Sequence, residues 1–164
     1  VDLALGFLLR APERIRSETL VVDDYVCLVR KGHKLARRKR LTLEDYAEHQ
    51  HLANTPVGFV PRAMASSAYG FGGREGIRAS LPYLLALPAM VRSTDLVATA
   101  PRRLLAAPVS FEGVVVLEAP RELPPVPHSI WWHPRFDGDP AHTWLREQLR
   151  AAALRDHAPA CPAN

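Results

Sequence analysis

The chain has 164 residues, 48% of them hydrophobic and 23% charged, with a formal charge of +4. This composition excludes a disordered or fibrous chain, and the longest uncharged apolar stretch, residues 81–91, is too short and proline-rich to span a bilayer. Its two cysteines, Cys27 in an apolar run and Cys161 in a proline-rich tail, predict no structural disulfide; with no secretory signal at Val1, they fit a reducing cytoplasm.

Taken in order, Leu3-Ala4-Leu5 reads as a buried strand ending at Gly6. Residues 15–22 alternate imperfectly and read as a connecting strand, whereas YVCLVR (residues 25–30) is rich in β-branched and aromatic side chains and predicts a strand outright. The positive charge is local. Arg30, Lys31, Lys34, Arg37, Arg38, Lys39 and Arg40 place seven cations in one loop without an acid, and removing them turns the balance of +4 into −3. A basic loop without interleaved aromatics reads first as a solvated turn, with nucleic-acid contact as the alternative. Thr42-Leu43-Glu44-Asp45 has the pattern of a capping box and opens a short helix through Tyr46 and Ala47. A short strand at residues 51–53, a Pro/Gly loop at 54–61, a helix from Pro61 to Gly70 and a Phe71-Gly72-Gly73 turn follow.

The chain is organised around residues 80–101, SLPYLLALPAMVRSTDLVATAP, preceded by a strand at 77–79. Ser80 is placed to cap a helix with Pro82 in its first turn, and Leu81, Leu84, Leu85, Pro88, Met90 and Val91 leave that helix almost no polar face, which predicts burial. Pro88 removes one helical hydrogen bond and is expected to kink or loosen the helix near Leu84. Residues 96–100 read as an apolar strand, and Pro101 opens a further helix, PRRLLAA. A helix start at a strand's carboxyl end commonly holds small anionic ligands in α/β proteins; a capped core helix without a ligand is the alternative. Residues 114–117 predict a strand, 119–127 an extended crossing with four prolines, and 129–133 another strand. Asp139-Pro140 is an N-cap and first helical position, with Trp144, Leu145, Leu149 and Leu154 as the apolar stripe of the helix that follows. Alternating strands and helices give an α/β class.

At this point DLALG, VCLVRKGHKLARRKRLTLEDYAEHQHL, LPYLLALPAMVRSTDLVATAP and WWHPRFDGDPAHTWLREQL, in this order and spacing, resemble the effector-binding domain of LysR-type transcriptional regulators. The nearest branch is that of the nodulation regulators and the salicylate- and chloroaromatic-responsive regulators. The resemblance implies an α/β, type II periplasmic-binding-protein-like two-lobe fold with its first lobe incomplete. On that plan residues 1–23 are a remnant of the first lobe with the first hinge crossing, 24–117 the inserted second lobe, 118–155 the second crossing with the returning strand and C-terminal helix, and 156–164 a disordered tail. The winged helix-turn-helix of the family and the opening elements of its first lobe have no counterpart in this sequence, and the Phe71-Gly72-Gly73-Arg74 turn is richer in glycine than the family pattern.

The resemblance further implies a small aromatic acid or phenol held between the lobes by Gly6, Phe7, Ser80, Leu81, Pro82 and Tyr83, a homo-oligomer (dimer or tetramer), and DNA contact only through the absent domain. Phe7 and Tyr83 are candidates for stacking on the ligand, against a plain packing role. A transport solute-binding protein of the same fold is the alternative function. His49 and His51, two apart on a strand, share a face and suit a metal, but no third ligand follows, so no metal or cofactor is expected. His133 and His142 around Arg135 and Asp137 imitate a catalytic set; without a nucleophile in a sharp turn they read as strand-end and cap residues, and the chain as no enzyme.

Overall fold

The computed structural model describes residues 2–6, 13–54 and 76–155. They fall into two compact units, one built from the two ends of the chain, up to Asp23 and from Pro125 onward, the other continuous from Asp24 to Pro124. The sequence-predicted Phe7, the loop and helix of residues 55–70, the Phe71-Gly72-Gly73-Arg74 turn and the tail lie outside the described residues.

The smaller unit contains an antiparallel sheet in the order β1 (Leu3–Gly6), β8 (Val126–Trp132), β2 (Arg16–Asp23). β8 forms the centre, with Ser129, Ile130 and Trp131 buried at 7%, 0% and 7% exposure. β1 pairs with β8 from Leu3↔Trp132 to Gly6↔Ser129, whereas β2 continues beyond it, with Val22 opposite Pro127 and Asp23 opposite Val126. Pro127 therefore sits where β8 has a partner strand on one side among the described residues, a place that tolerates a missing N–H. The predicted extended crossing is broken by a turn, with Leu123 N–H donating to Pro120 O at 3.2 Å. The predicted burial of Leu3-Ala4-Leu5 fails as well: β1 is an edge strand and Leu5 is 60% exposed.

α3 (Pro140–Arg155) starts as predicted, with Asp139 Oδ1 accepting from the His142 N–H at 2.8 Å. Its inward face differs from the predicted stripe. His142 and Arg146 are buried and Leu149 half-buried, while Trp144 and Leu154 are 60% and 69% exposed. Arg146 is tolerated inside because its guanidinium donates to Phe136 O, Asp137 O, Thr143 Oγ1 and His142 Nδ1 and lies over the Trp132 ring. Hydrogen bonding and cation–π contact thus replace apolar burial on that face.

The larger unit holds a five-stranded mixed sheet in the order β5 (Ile77–Leu81), β4 (His51–Asn54), β6 (Val97–Pro101), β3 (Tyr25–Arg30), β7 (Val114–Glu118). β4 is parallel to β5 and β6, and β3 is antiparallel to β6 and β7. Alternation along β3 sends Val26 and Leu28 to one core with Leu52, Leu87, Val91, Ala98 and Ala100, and Cys27 and Val29 to another with Leu35, Leu41, Tyr46 and Leu117. Both faces are covered, which is why β3 reads as an unbroken apolar run. One cover is α2 (Leu87–Val91). The other is α1 (Leu43–Ala47), opened by a complete capping box in which Thr42 Oγ1 accepts from the Asp45 N–H and Asp45 Oδ2 from the Thr42 N–H, at 3.0 and 3.2 Å.

The predicted long buried helix after Ser80 is not formed. Ser80 and Leu81 stay in β5, paired with Ala53 and Asn54, so Ser80 caps nothing. After a bend at Pro82 come a 3-10 turn at Leu84–Ala86 and then α2, with Pro88 at its start. Strand pairing satisfies more backbone than a cap would, and Pro88 takes a position that needs no N–H, dividing the predicted helix. Leu87, Pro88 and Val91 are buried, whereas Leu85 and Met90 are 56% and 39% exposed. PRRLLAA likewise forms a 3-10 helix, Arg102–Ala106.

Candidate functional site

Parallel strands end together, and the register shows where. β4 ends at Asn54 beside Leu81, the end of β5, while Ala100 near the end of β6 and Glu118 at the end of β7 both lie level with Val26. Four of the five strands therefore finish at one edge of the larger sheet, and β3 starts there at Tyr25. The carboxyl edge of such a sheet is where α/β folds leave a crevice for ligands.

Ser80, Leu81, Pro82 and Tyr83 are brought together at this edge. Leu81 is half-buried, and its carbonyl accepts from Asn54 Nδ2 at 3.1 Å, which ties the ends of β4 and β5. Ser80 and Pro82 are exposed, and the Ser80 hydroxyl makes no hydrogen bond among the described residues. Tyr83 is 73% exposed, its carbonyl accepting from the Ala86 N–H at 3.1 Å. An aromatic ring in solvent on a fixed backbone costs little to stack against a planar ligand, and a hydroxyl without a partner can serve a polar substituent. Gly6 belongs to the smaller unit, paired with Ser129, and a Cβ there would meet Trp131 at 4.0 Å.

The same edge carries a charge group, two members of which, Arg102 and Glu118, the sequence reading does not single out. Arg102 donates to Glu118 through both terminal nitrogens, at 3.0 and 2.6 Å. Arg40 Nη2 approaches the same carboxylate at 3.4 Å, and its Nη1 donates to Ala119 O at 2.9 Å. The hydrogen bond from Arg102 is the main reason that the Glu118 carboxyl is held below its usual range, with partial burial opposing. Both guanidiniums thus engage the one carboxylate at the ends of β6 and β7. Arg102 was hidden because Pro101-Arg102 reads as a helix start; a lone acid ending VVVLE was the available signal for Glu118.

The histidines are spent on structure. His49 precedes β4 rather than lying on it, so it shares no strand face with His51. His49 Nδ1–H donates to Asp45 O at 2.7 Å and His51 Nε2–H to Tyr46 O at 2.8 Å. His33 Nδ1 accepts from the Leu35 N–H at 3.1 Å and its Nε2–H donates to Asp95 O at 3.2 Å. Burial pushes the His33 and His51 imidazoles below their usual range. No group of three or more metal-ligating side chains occurs among the described residues. His133 Nδ1 accepts from the Arg135 N–H at the start of a 3-10 turn, and His142 Nε2–H donates to Asp2 O while its Nδ1 accepts from Arg146. Cys27 is fully buried; burial pushes its thiol up to about 12, far from a reactive thiolate.

Comparison with known proteins bears on the family and the fold. A family model described as the LysR substrate binding domain matches residues 1–154. The transcriptional activator NahR of Pseudomonas putida, an HTH-type protein, is 33% identical over 91% of this chain and 49% of its own length. The HTH-type activator NagR of a Ralstonia species is 31% identical over 90% of this chain and 48% of its own. The chain thus spans about half the length of the curated relatives it matches. Among solved structures, a probable transcriptional regulator from Pseudomonas aeruginosa superposes with a TM-score of 0.75 at 30% identity, covering 92% of this chain and 49% of that one. The regulatory domain of MexT, a transcriptional activator of the same organism, gives 0.71 at 22% identity over 92% of this chain and 72% of that one, a likeness of fold alone. The expectation of an α/β, type II periplasmic-binding-protein-like fold stands.

Proposed function

The chain belongs to the LysR substrate-binding domain family, and from that premise we propose that it is the effector-sensing part of a transcriptional regulator. Its ligand is a small aromatic acid or phenol, and the protein works in the cytoplasm. The observation that supports the ligand class is the carboxyl edge of the larger sheet, where the exposed Tyr83 ring and the Ser80 hydroxyl lie together at the end of β5. A flat ring suits the exposed aromatic side chain, and a polar substituent of the ligand suits the hydroxyl beside it. Ligand affinity that differs between two arrangements of the sensor shifts an oligomer, dimer or tetramer, between DNA-bound geometries; binding free energy then does the switching and no covalent chemistry is required. The relatives are named as regulators, which favours this over a transport solute-binding protein of similar fold. No helix of the described residues is long and apolar enough to cross a membrane.

The test is a thermal-shift screen of benzoates, hydroxybenzoates and phenols against the purified chain. A ligand present at about a hundred times its dissociation constant adds roughly 2.7 kcal/mol of stability. Tyr83→Ala and Ser80→Ala are expected to remove that gain while leaving the unliganded chain about as stable as before, because both side chains are exposed. The resemblance adds Gly6 and Phe7 to the contact set, and Phe7→Ala tests that addition separately. Unaltered binding by all three variants would refute the contact set.

A further inference from the structure

The seven-cation turn between β3 and α1 divides into two groups. Arg30 is paired with Asp95 at 2.7 Å, Arg38 with Asp45 at 3.2 Å, and Arg40 with Glu118 at 3.4 Å. The other four, Lys31, Lys34, Arg37 and Lys39, are exposed, and among the described residues no carboxylate pairs with any of them. The arginines consume the acids nearest the turn and leave the lysines and Arg37 as uncompensated charge.

The turn is also firmly built. Gly32 takes a φ of 103°, which ordinary side chains avoid, and the Lys31 N–H donates to Gly113 O at 2.7 Å. His33 caps the 3-10 helix Lys34–Arg37, Leu35 and Leu41 anchor it at 5% and 1% exposure, and Lys39 O accepts from the Glu118 N–H at 3.0 Å. Side chains three apart eclipse in a 3-10 helix, which puts Lys34 and Arg37 on one face of the turn, with Lys31 and Lys39 flanking the helix in sequence. Four cations carried on a fixed backbone cost less ordering entropy on binding than four on a mobile loop.

We propose that Lys31, Lys34, Arg37 and Lys39 form a contact for the phosphate backbone of double-stranded DNA, one that adds affinity without reading sequence. This revises the expectation that DNA is touched only through another domain, and it rests on the regulator reading given above. Duplex DNA rather than a bilayer is the partner because the apolar side chains of the turn are buried and nothing within it inserts among acyl chains. In a regulator tethered to its operator the local DNA concentration is high, so a weak four-charge contact suffices.

The experiment is fluorescence anisotropy of a labelled mixed-sequence duplex titrated with the 164-residue chain at several salt concentrations. Neutralising four phosphates gives a slope of about −3.6 in log affinity against log salt, or about 150-fold weaker binding at about 200 mM than at about 50 mM. The K31Q/K34Q/R37Q/K39Q variant is expected to lose binding with an unchanged urea midpoint, and K34Q alone to flatten the slope by about 0.9. Equal duplex binding by the quadruple variant, or preference for phosphatidylglycerol vesicles over duplex, overturns the inference. Absent duplex binding alongside an intact aromatic-acid shift removes this inference and keeps the sensor reading; the opposite pair of results does the reverse.

Discussion

Replacing the Tyr46 hydroxyl tests how α1 is locked beneath the sheet that carries the candidate site. Tyr46 is fully buried, and its oxygen lies 2.7 Å from Thr99 Oγ1 on β6, which is itself 3.9 Å from Cys27 Sγ on β3. Tyr46→Phe keeps the ring and deletes one buried hydrogen bond, leaving Thr99 with the weak thiol contact; the expected cost is about 1–2 kcal/mol. Thr99→Val strips the same bond from the other side at about 1–3 kcal/mol, since an oxygen is replaced by a methyl of similar shape. In the double variant neither partner strands the other, so its cost is expected to fall short of the sum of the singles by about 1 kcal/mol. Tryptophan fluorescence is the wrong probe, because Trp131, Trp132 and Trp144 all lie in the smaller unit. Far-UV circular dichroism in urea, supported by amide hydrogen exchange along β3, reports on the larger one. Additivity of the two single costs to within about 0.3 kcal/mol would refute the reasoning.

Thr42→Ala is expected to cost the larger unit about 1 kcal/mol by breaking the capping box, and Thr42→Ser to restore most of it, as read from urea midpoints. Leu28→Ala, at a fully buried position of β3, is expected to cost about 3–5 kcal/mol in the same assay. The pH dependence follows from the buried histidines: their folded pKa values lie below the ordinary 6.5, so the unfolded chain binds more protons and stability present above 6.5 is lost as pH falls below it. His33→Asn keeps an acceptor for the Leu35 N–H without titrating, and it should flatten the urea-midpoint profile below that point. A second loss is expected below 4.5, where Glu18 and Glu118, held down chiefly by Arg150 and Arg102, take up protons.

The sequence by itself determined what neighbouring residues decide. The capping box at Thr42, the Asp139 cap, the apolar run of β3 and the apolar strand read at residues 96–100 were legible because caps and apolar patterning act over a few residues. Tertiary structure decided the rest, for reasons that can be named at each residue. Ser80 has the side chain of a cap, yet the partner strand β4 holds it extended; which strand lies alongside is not written within reach of position 80. The Trp144–Leu154 stripe has helical spacing, but the inward face is the one whose Arg146 finds carbonyls and an indole at hand. Arg102 and Arg40 stand far apart in the chain and meet on Glu118 only because β7 closes the sheet beside β3. Local backbone preferences amount to a few tenths of a kcal/mol per residue, whereas strand pairing and burial act on many groups together, so where the two conflict the long-range contact prevails.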